Sequence, residues 1–236
     1  MASIDLAQKF DPARAGEYQA QSRIALAGYD ACHELAACML VAVVGPGTDA
    51  HVLVLGAGGG AQEIVMAGGL EPAWHFTAVD PSQPMMDIAA DQLAQHGLSG
   101  RTETHLGYVD DLPDARRFDA ATLIGVLHHL PGGAAKRHIL HSIAARLLPR
   151  APLILAGNRY AYADHPTLLA AGGERWRMQG STPEEVQAKL GKILQGADPP
   201  ASEDAGAALL ADTGFGRPTW FFSSLFWGAC IARLEA

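Results

Sequence analysis

Residues His51 to Ile64 read HVLVLGAGGGAQEI: an apolar run passes into a turn in which four of five residues, Gly56 to Gly60, are glycine. Strand formers, then glycine, then a polar helix start predict a strand–turn–helix unit. Gly56, Gly58 and Gly60 let the backbone turn tightly and approach a ligand with no side chain between. The helix that follows aims its unpaired N–H groups and positive dipole end at the same place.

Working outward, the chain alternates. Strands read at 51–56, 75–80 (HFTAVD), 102–107 (TETHLG), 118–126 (FDAATLIGV) and 152–157 (PLILAG), with helices near 60–68, 83–96 and 134–147. A further helix, GYDACHELAACMLVAVV from Gly28 to Val44, precedes them and stops at GPG. Strands separated by helices of this length predict right-handed βαβ units and a parallel sheet. Beyond residue 160 the pattern becomes polar to mixed, with a helix start at STPEE: Thr182 as cap, Pro183 at the first helical position, Glu185 closing a capping box. A helix SEDAGAALLADTGF follows, capped by Ser202 and stopping near Gly214. The last two strands, RPTWFFSS and FWGACIARLEA, are too close for a crossover helix and must pair antiparallel. The expected architecture is α/β: a doubly wound, mostly parallel seven-stranded sheet with a C-terminal antiparallel hairpin and a helical cap insertion. Its expected divisions are an N-terminal helical segment (1–49), a cofactor-binding core (50–158), the cap (159–201), and a last helix with the hairpin (202–236).

Composition narrows the function classes. Hydrophobic residues make up 49% of the 236 and charged ones 18%, a globular balance. The net charge of −8 argues against a broad nucleic-acid or anionic-membrane surface. Cys32, Cys38 and Cys230 show no CxxC pair and no metal-ligand spacing, which reads as reduced thiols and no metal. The first residues lack the basic start and apolar run of a signal peptide, and no apolar run is long enough to span a membrane. A cytoplasmic location is expected; a homodimer is left open.

GAGGGA satisfies GxGxxA, which suits a dinucleotide pyrophosphate, and GxGxG, which suits S-adenosylmethionine; it lacks the lysine and hydroxyl of a phosphate-binding P-loop. Asp80, at the tip of the second strand in TAVDPSQPMMDIAA, can accept hydrogen bonds from both hydroxyls of a ribose. Asp80 could instead cap the next helix, but Ser82 is better placed to do so.

What separates the two cofactors is the run GYVDDLPDARRFDAATLIGVLHHLP and then RLLPRAPLILAG. Element by element it resembles the class I S-adenosylmethionine-dependent methyltransferases, from the acid-rich turn ending in LP to the FD that opens the fourth strand and the LHHLP at its end. The terminal hairpin is a further likeness. The resemblance implies that Gly56, Ala57, Gly58 and Gly60 lie under the methionine part, that Asp80 holds the ribose, and that Pro81, Ser82 and Met85 flank the adenine. Tyr108, Val109 and Asp110 would edge the adenine from the other side; Gly125, Val126 and His128 would line the floor. Two departures stand out: Val54 replaces the acid usual two residues before the first glycine, and Tyr108 the usual adenine-side acid.

The flanks, FDPARAGEY before the loop and the closing TGFGRPTWFF hairpin, are similar to the branch containing carboxy-S-adenosylmethionine synthase. That enzyme's carboxylate-holding arginine falls at Gly191, with Lys189 and Lys192 nearby, which favours the ordinary cofactor. Tyr18 and Arg23 are expected to fold over the cofactor and reach its carboxylate. In the cap, Arg159, Tyr160, Tyr162, His165, Arg175, Trp176 and Arg177 are offered to a substrate, and His128 is the candidate base, with His129 and Tyr18 as the other candidates. The function expected is in-line methyl transfer from S-adenosylmethionine to a small molecule, leaving S-adenosylhomocysteine. The alternatives are a tRNA-modification-related enzyme like the synthase, or a cofactor-binding module without catalysis.

Overall fold

In strand β1, His51–Leu55, the valine and leucine side chains are all buried, and they alternate. Val52 and Val54 join one apolar cluster; Leu53 and Leu55 join another. A strand buried on both faces belongs in the middle of a sheet covered by helices on each side. Each such side chain contributes roughly 1.5–3 kcal/mol. The computed structural model describes residues 20–235 and places β1 in that position.

The other strands are β2 (His75–Asp80), β3 (Thr102–Leu106), β4 (Ala120–Ile124), β5 (Pro152–Asn158), β6 (Thr219–Ser224) and β7 (Trp227–Arg233). They form one seven-stranded sheet in the order β3-β2-β1-β4-β5-β7-β6. The first five run parallel; β7 is antiparallel to both β5 and β6. The helices are α1 (Tyr29–Val44), α2 (Gln62–Leu70), α3 (Gln83–Gln95), α4 (Gly132–Ala144), α5 (Pro166–Met178), α6 (Pro183–Gly196) and α7 (Glu203–Ala211). Cys32 and Leu40 of α1, Ile64 of α2 and Leu93 of α3 pack with Val52 and Val54, while Leu140 of α4 and Leu210 of α7 pack with Leu53 and Leu55. Strand order reverses between β1 and β4, and their carboxyl ends open the crevice where such sheets bind ligands.

The architecture agrees with the expectation; some boundaries move for local reasons. The helix after the glycine loop starts at Gln62, because Gly59, Gly60 and Ala61 all hold positive φ (81°, 134° and 46°) and prolong the turn. Strand β4 is shorter than 118–126: Phe118 makes only an isolated bridge to Leu147, and Gly125 at φ 78° ends the strand. Helix α4 sits about two residues earlier than expected. The capping box forms as read, with the Glu185 N–H on Thr182 Oγ1 (3.3 Å) and the Thr182 N–H on Glu185 Oε2 (2.8 Å). Ser202 Oγ accepts the Ala205 N–H at 3.1 Å.

The cap holds two helices, α5 and α6, with Gly173 of α5 packed against Val186 of α6. Arg175 donates to the carbonyls of Ile24 (2.9 Å) and Arg23 (3.0 Å), tying α5 to the helical residues 20–25. At the far end, Asp198 accepts from Lys136 Nζ (2.8 Å) and the Gly132 N–H (2.6 Å), while its own N–H donates to His128 O (2.7 Å). The cap is thus anchored at both ends around the carboxyl edge of the sheet. Among the described residues, no helix is long and apolar enough to cross a membrane.

Candidate cofactor and acceptor site

Two cavities open at this edge and share a wall made by Gly56, Gly58, Ile124, Gly125 and His129. The first, of about 330 Å³, lies over β1 and β2; the second, of about 370 Å³, lies under the cap.

The first cavity is built on the glycine loop. A Cβ on Gly58 would stand 2.4 Å from Met85 Cβ and 2.7 Å from Asp80 Oδ2; one on Gly56 would stand 2.3 Å from Val126 Cγ2. Neither position tolerates a side chain. Asp80 is buried, its Oδ2 accepting the Gly58 N–H (3.1 Å) and its Oδ1 the Ser82 N–H (2.9 Å). Burial raises the Asp80 pKa above the ordinary carboxylate range, opposed by those two backbone donors. Each oxygen keeps a lone pair for a further donor. Ser82 stands at the N-cap of α3 without a side-chain cap bond, so the expected division of labour is corrected: Asp80 orders the helix start through the Ser82 N–H and also faces the cavity.

Gly56, Gly58, Asp80, Pro81, Met85, Tyr108, Val109, Asp110, Gly125 and Val126 all line this cavity. Ala57, Gly60 and Ser82 do not reach its wall; Ala57 is part of the core beneath. Asp110 accepts from Ser142 Oγ (2.5 Å) and pairs with His138 Nε2 (2.7 Å). Burial works against its ionisation, but Ser142 and His138 outweigh it and hold its pKa below the ordinary range. Tyr18 lies outside the described residues. Arg23 lines neither cavity; its guanidinium is bonded to Asp30 at 2.7 Å.

The second cavity is walled by Trp176, Phe226, Trp227, Leu168, Leu169 and Ile193, with Tyr162, Asn158, His33, Glu63 and Lys192 among its polar members. His128 lines it, edge-on to Trp227 with ring centroids 5.4 Å apart. His129 lies beside His128, ring centroids 4.2 Å apart and tilted by 44°, and reaches both cavities. Of the seven cap residues offered to a substrate, Tyr162 and Trp176 arrive, the Tyr162 hydroxyl accepting from Asn158 Nδ2 at 2.6 Å. Arg159 is instead buried against the rings of Tyr160 and Trp220, bonded to Glu203 and Ser223, and the Tyr160 hydroxyl also donates to Glu203 (2.8 Å). A charge turned inward at the end of β5 needs that carboxylate, which draws both side chains toward α7 and the hairpin. Sequence reasoning missed His33, Glu63 and the aromatic pair Phe226 and Trp227 at this cavity. Glu63, just past the glycine loop, was the one with a readable signal.

Residues 53–153 match the family described as a methyltransferase domain. The span runs from β1 into β5 and contains the loop, Asp80, Asp110 and both histidines. No curated protein sequence matches the chain. Among solved structures, a candidate O-methyltransferase of Nostoc punctiforme is similar over 94% of this chain and 60% of its own, at 14% identity and a TM-score of 0.67. A Bordetella parapertussis protein described as a candidate exported protein matches 86% of this chain and 67% of its own (17% identity, TM-score 0.64). RosA of Streptomyces davawensis, an N,N-8-amino-8-demethyl-D-riboflavin dimethyltransferase, matches 78% and 49% (20% identity, TM-score 0.55). These likenesses are of fold, and this chain spans about three-fifths of the Nostoc protein's length. The residues of this matched span fit a nucleoside. The loop leaves room that a Cβ would fill, a buried carboxylate faces it, and Met85, Val109 and Val126 make an apolar slot beyond.

Proposed function

We propose that this chain transfers a methyl group from S-adenosylmethionine to a small, largely aromatic acceptor held under the α5–α6 cap. The observation that carries the reading is the pair of cavities meeting across Gly56, Gly58 and Gly125. One side offers bare backbone and a carboxylate suited to a ribose; the other is walled by aromatic and aliphatic side chains. The activity of RosA on a flavin derivative supports the acceptor class.

When bound, the cofactor supplies a methyl carbon activated by a sulfonium. The chain's part is then to hold the acceptor atom in line, about 3–3.5 Å from that carbon, and to keep water out. Trp176, Phe226 and Trp227 clamp a planar acceptor, while Asn158 and Tyr162 give it polar contacts. A hydroxyl or protonated amine must lose a proton as it reacts. His128 and His129 stand at the junction to take it, His129 being the one that reaches both cavities.

Calorimetric titration with S-adenosylmethionine, S-adenosylhomocysteine and NAD tests the first half. Binding of the two sulfur ligands alone is expected; binding of NAD alone, or of none, would sink the reading. A mass-spectrometric screen of small aromatic alcohols and amines for a 14 Da gain, about one methylene per acceptor site, then tests the second half.

A further inference from the structure

We propose that Glu63 binds the α-ammonium of the cofactor's amino-acid head, with His33 as the side chain packed beside it. The proposal rests on the methyltransferase reading above and adds a contact that the resemblance does not supply, since Val54 stands where an acid near the loop is usual.

Glu63 sits in the first turn of α2, three residues beyond Gly60, and lines the same cavity as Gly56, Gly58 and Gly59. Among the described residues lining that cavity it is the one carboxylate. Its side chain is 9% exposed. The nearest basic group is His33, its Nε2 3.9 Å from Oε1, too long for a hydrogen bond. His33 Nδ1 meets the Tyr29 carbonyl at 2.8 Å, which makes Nδ1 the protonated nitrogen and turns Nε2 toward Glu63. Besides that neighbour, Glu63's own backbone N–H is the donor that bears on its carboxylate. A buried carboxylate held only by its own N–H and one loose neighbour is costly by itself and suits an incoming cation.

Position selects the cation. Asp80, the acceptor suited to a ribose, contacts Gly58 from one side of the loop; Glu63 lines the cavity on the other. A ligand laid across the bare Gly56–Gly58 backbone meets a diol acceptor at one end and a carboxylate at the other. S-adenosylmethionine carries a ribose diol and an α-ammonium at those two ends of its sulfonium-linked chain.

The experiment is calorimetric binding of S-adenosylhomocysteine and of 5′-methylthioadenosine, which lacks the amino-acid head, to the full chain and to Glu63→Gln. We expect about a 10- to 100-fold loss for S-adenosylhomocysteine and less than about a two-fold change for 5′-methylthioadenosine. Unchanged S-adenosylhomocysteine affinity, or an equal loss for both ligands, overturns the assignment. Should Glu63→Gln not fold, wild-type protein is titrated with N-acetyl-S-adenosylhomocysteine, whose nitrogen carries no charge. A loss of about ten-fold or more supports the contact, and equal affinity overturns it. Failure of wild-type protein to bind any of these nucleosides would instead strike the methyltransferase reading itself.

Discussion

The Asp80 carboxylate at the end of β2 holds the Gly58 N–H of the loop after β1 at 3.1 Å. One side chain therefore sets the shape of the loop and presents its remaining lone pairs to the cavity. Asp80→Ala is expected to weaken S-adenosylhomocysteine binding about 10- to 100-fold, through lost charge-assisted bonds of about 1.5–3 kcal/mol. Asp80→Asn, which keeps one acceptor, should lose less. Calorimetry on both variants checks the order; equal affinity in all three proteins would remove Asp80 from the site.

Gly58→Ala tests the same contact from the loop side. Its added Cβ meets Met85 Cβ and Asp80 Oδ2 well inside contact distance, and Met85 Cβ lies too close to the backbone to swing away. Overpacking of this kind costs about 1–3 kcal/mol. Thermal unfolding should show a lower Tm, and nucleoside binding should fall with it. Gly69→Ala, where nothing lies within 4 Å, is the control that should leave binding intact.

The anchor of the cap carries a pH signature. The Lys136 hydrogen bond, the largest influence, and the Gly132 N–H outweigh the opposing effect of burial and depress the Asp198 pKa. A depressed folded-state pKa contributes stability above the ordinary carboxylate pKa and loses it as pH falls through the folded value. The Asp198 side chain is 56% exposed, so screening holds the contribution to under about 1 kcal/mol. Wild type should exceed Asp198→Asn in Tm near neutral pH, and the difference should close below about pH 4. A difference that persists unchanged in acid would show that the ion pair is not its source.

Thiol chemistry should single out one cysteine. Cys38 is exposed, whereas burial pushes the thiols of Cys32 and Cys230 up to about 12. Native protein treated with iodoacetamide at pH 8 should be alkylated at Cys38 first, and Cys38→Ser should abolish the fast phase. Rapid labelling of Cys32 would mean that α1 opens far more readily than its packing implies.

Residues whose signal is local were legible from the chain. The strand–glycine–helix unit, the alternation of elements, the Thr182–Glu185 box and the antiparallel end of the sheet all come from spacing and turn chemistry within a few residues. Asp80 was legible for the same reason: a polar residue at the tip of an apolar strand has few other reasons to stand there. Arg159 and Tyr160 were misplaced because their partner, Glu203, lies more than forty residues away, beyond two helices. Nothing local distinguishes an arginine facing a substrate from one facing a buried carboxylate. His33 and Glu63 lie thirty residues apart on α1 and α2 and meet only because both helices cover the same face of the sheet. The sequence by itself determined the order of the elements and the place of the glycine loop, since these follow from propensity and periodicity along the chain. The tertiary structure decided which charged side chains line the two cavities, because desolvation forces each buried charge toward whatever partner the packing brings within a few ångströms.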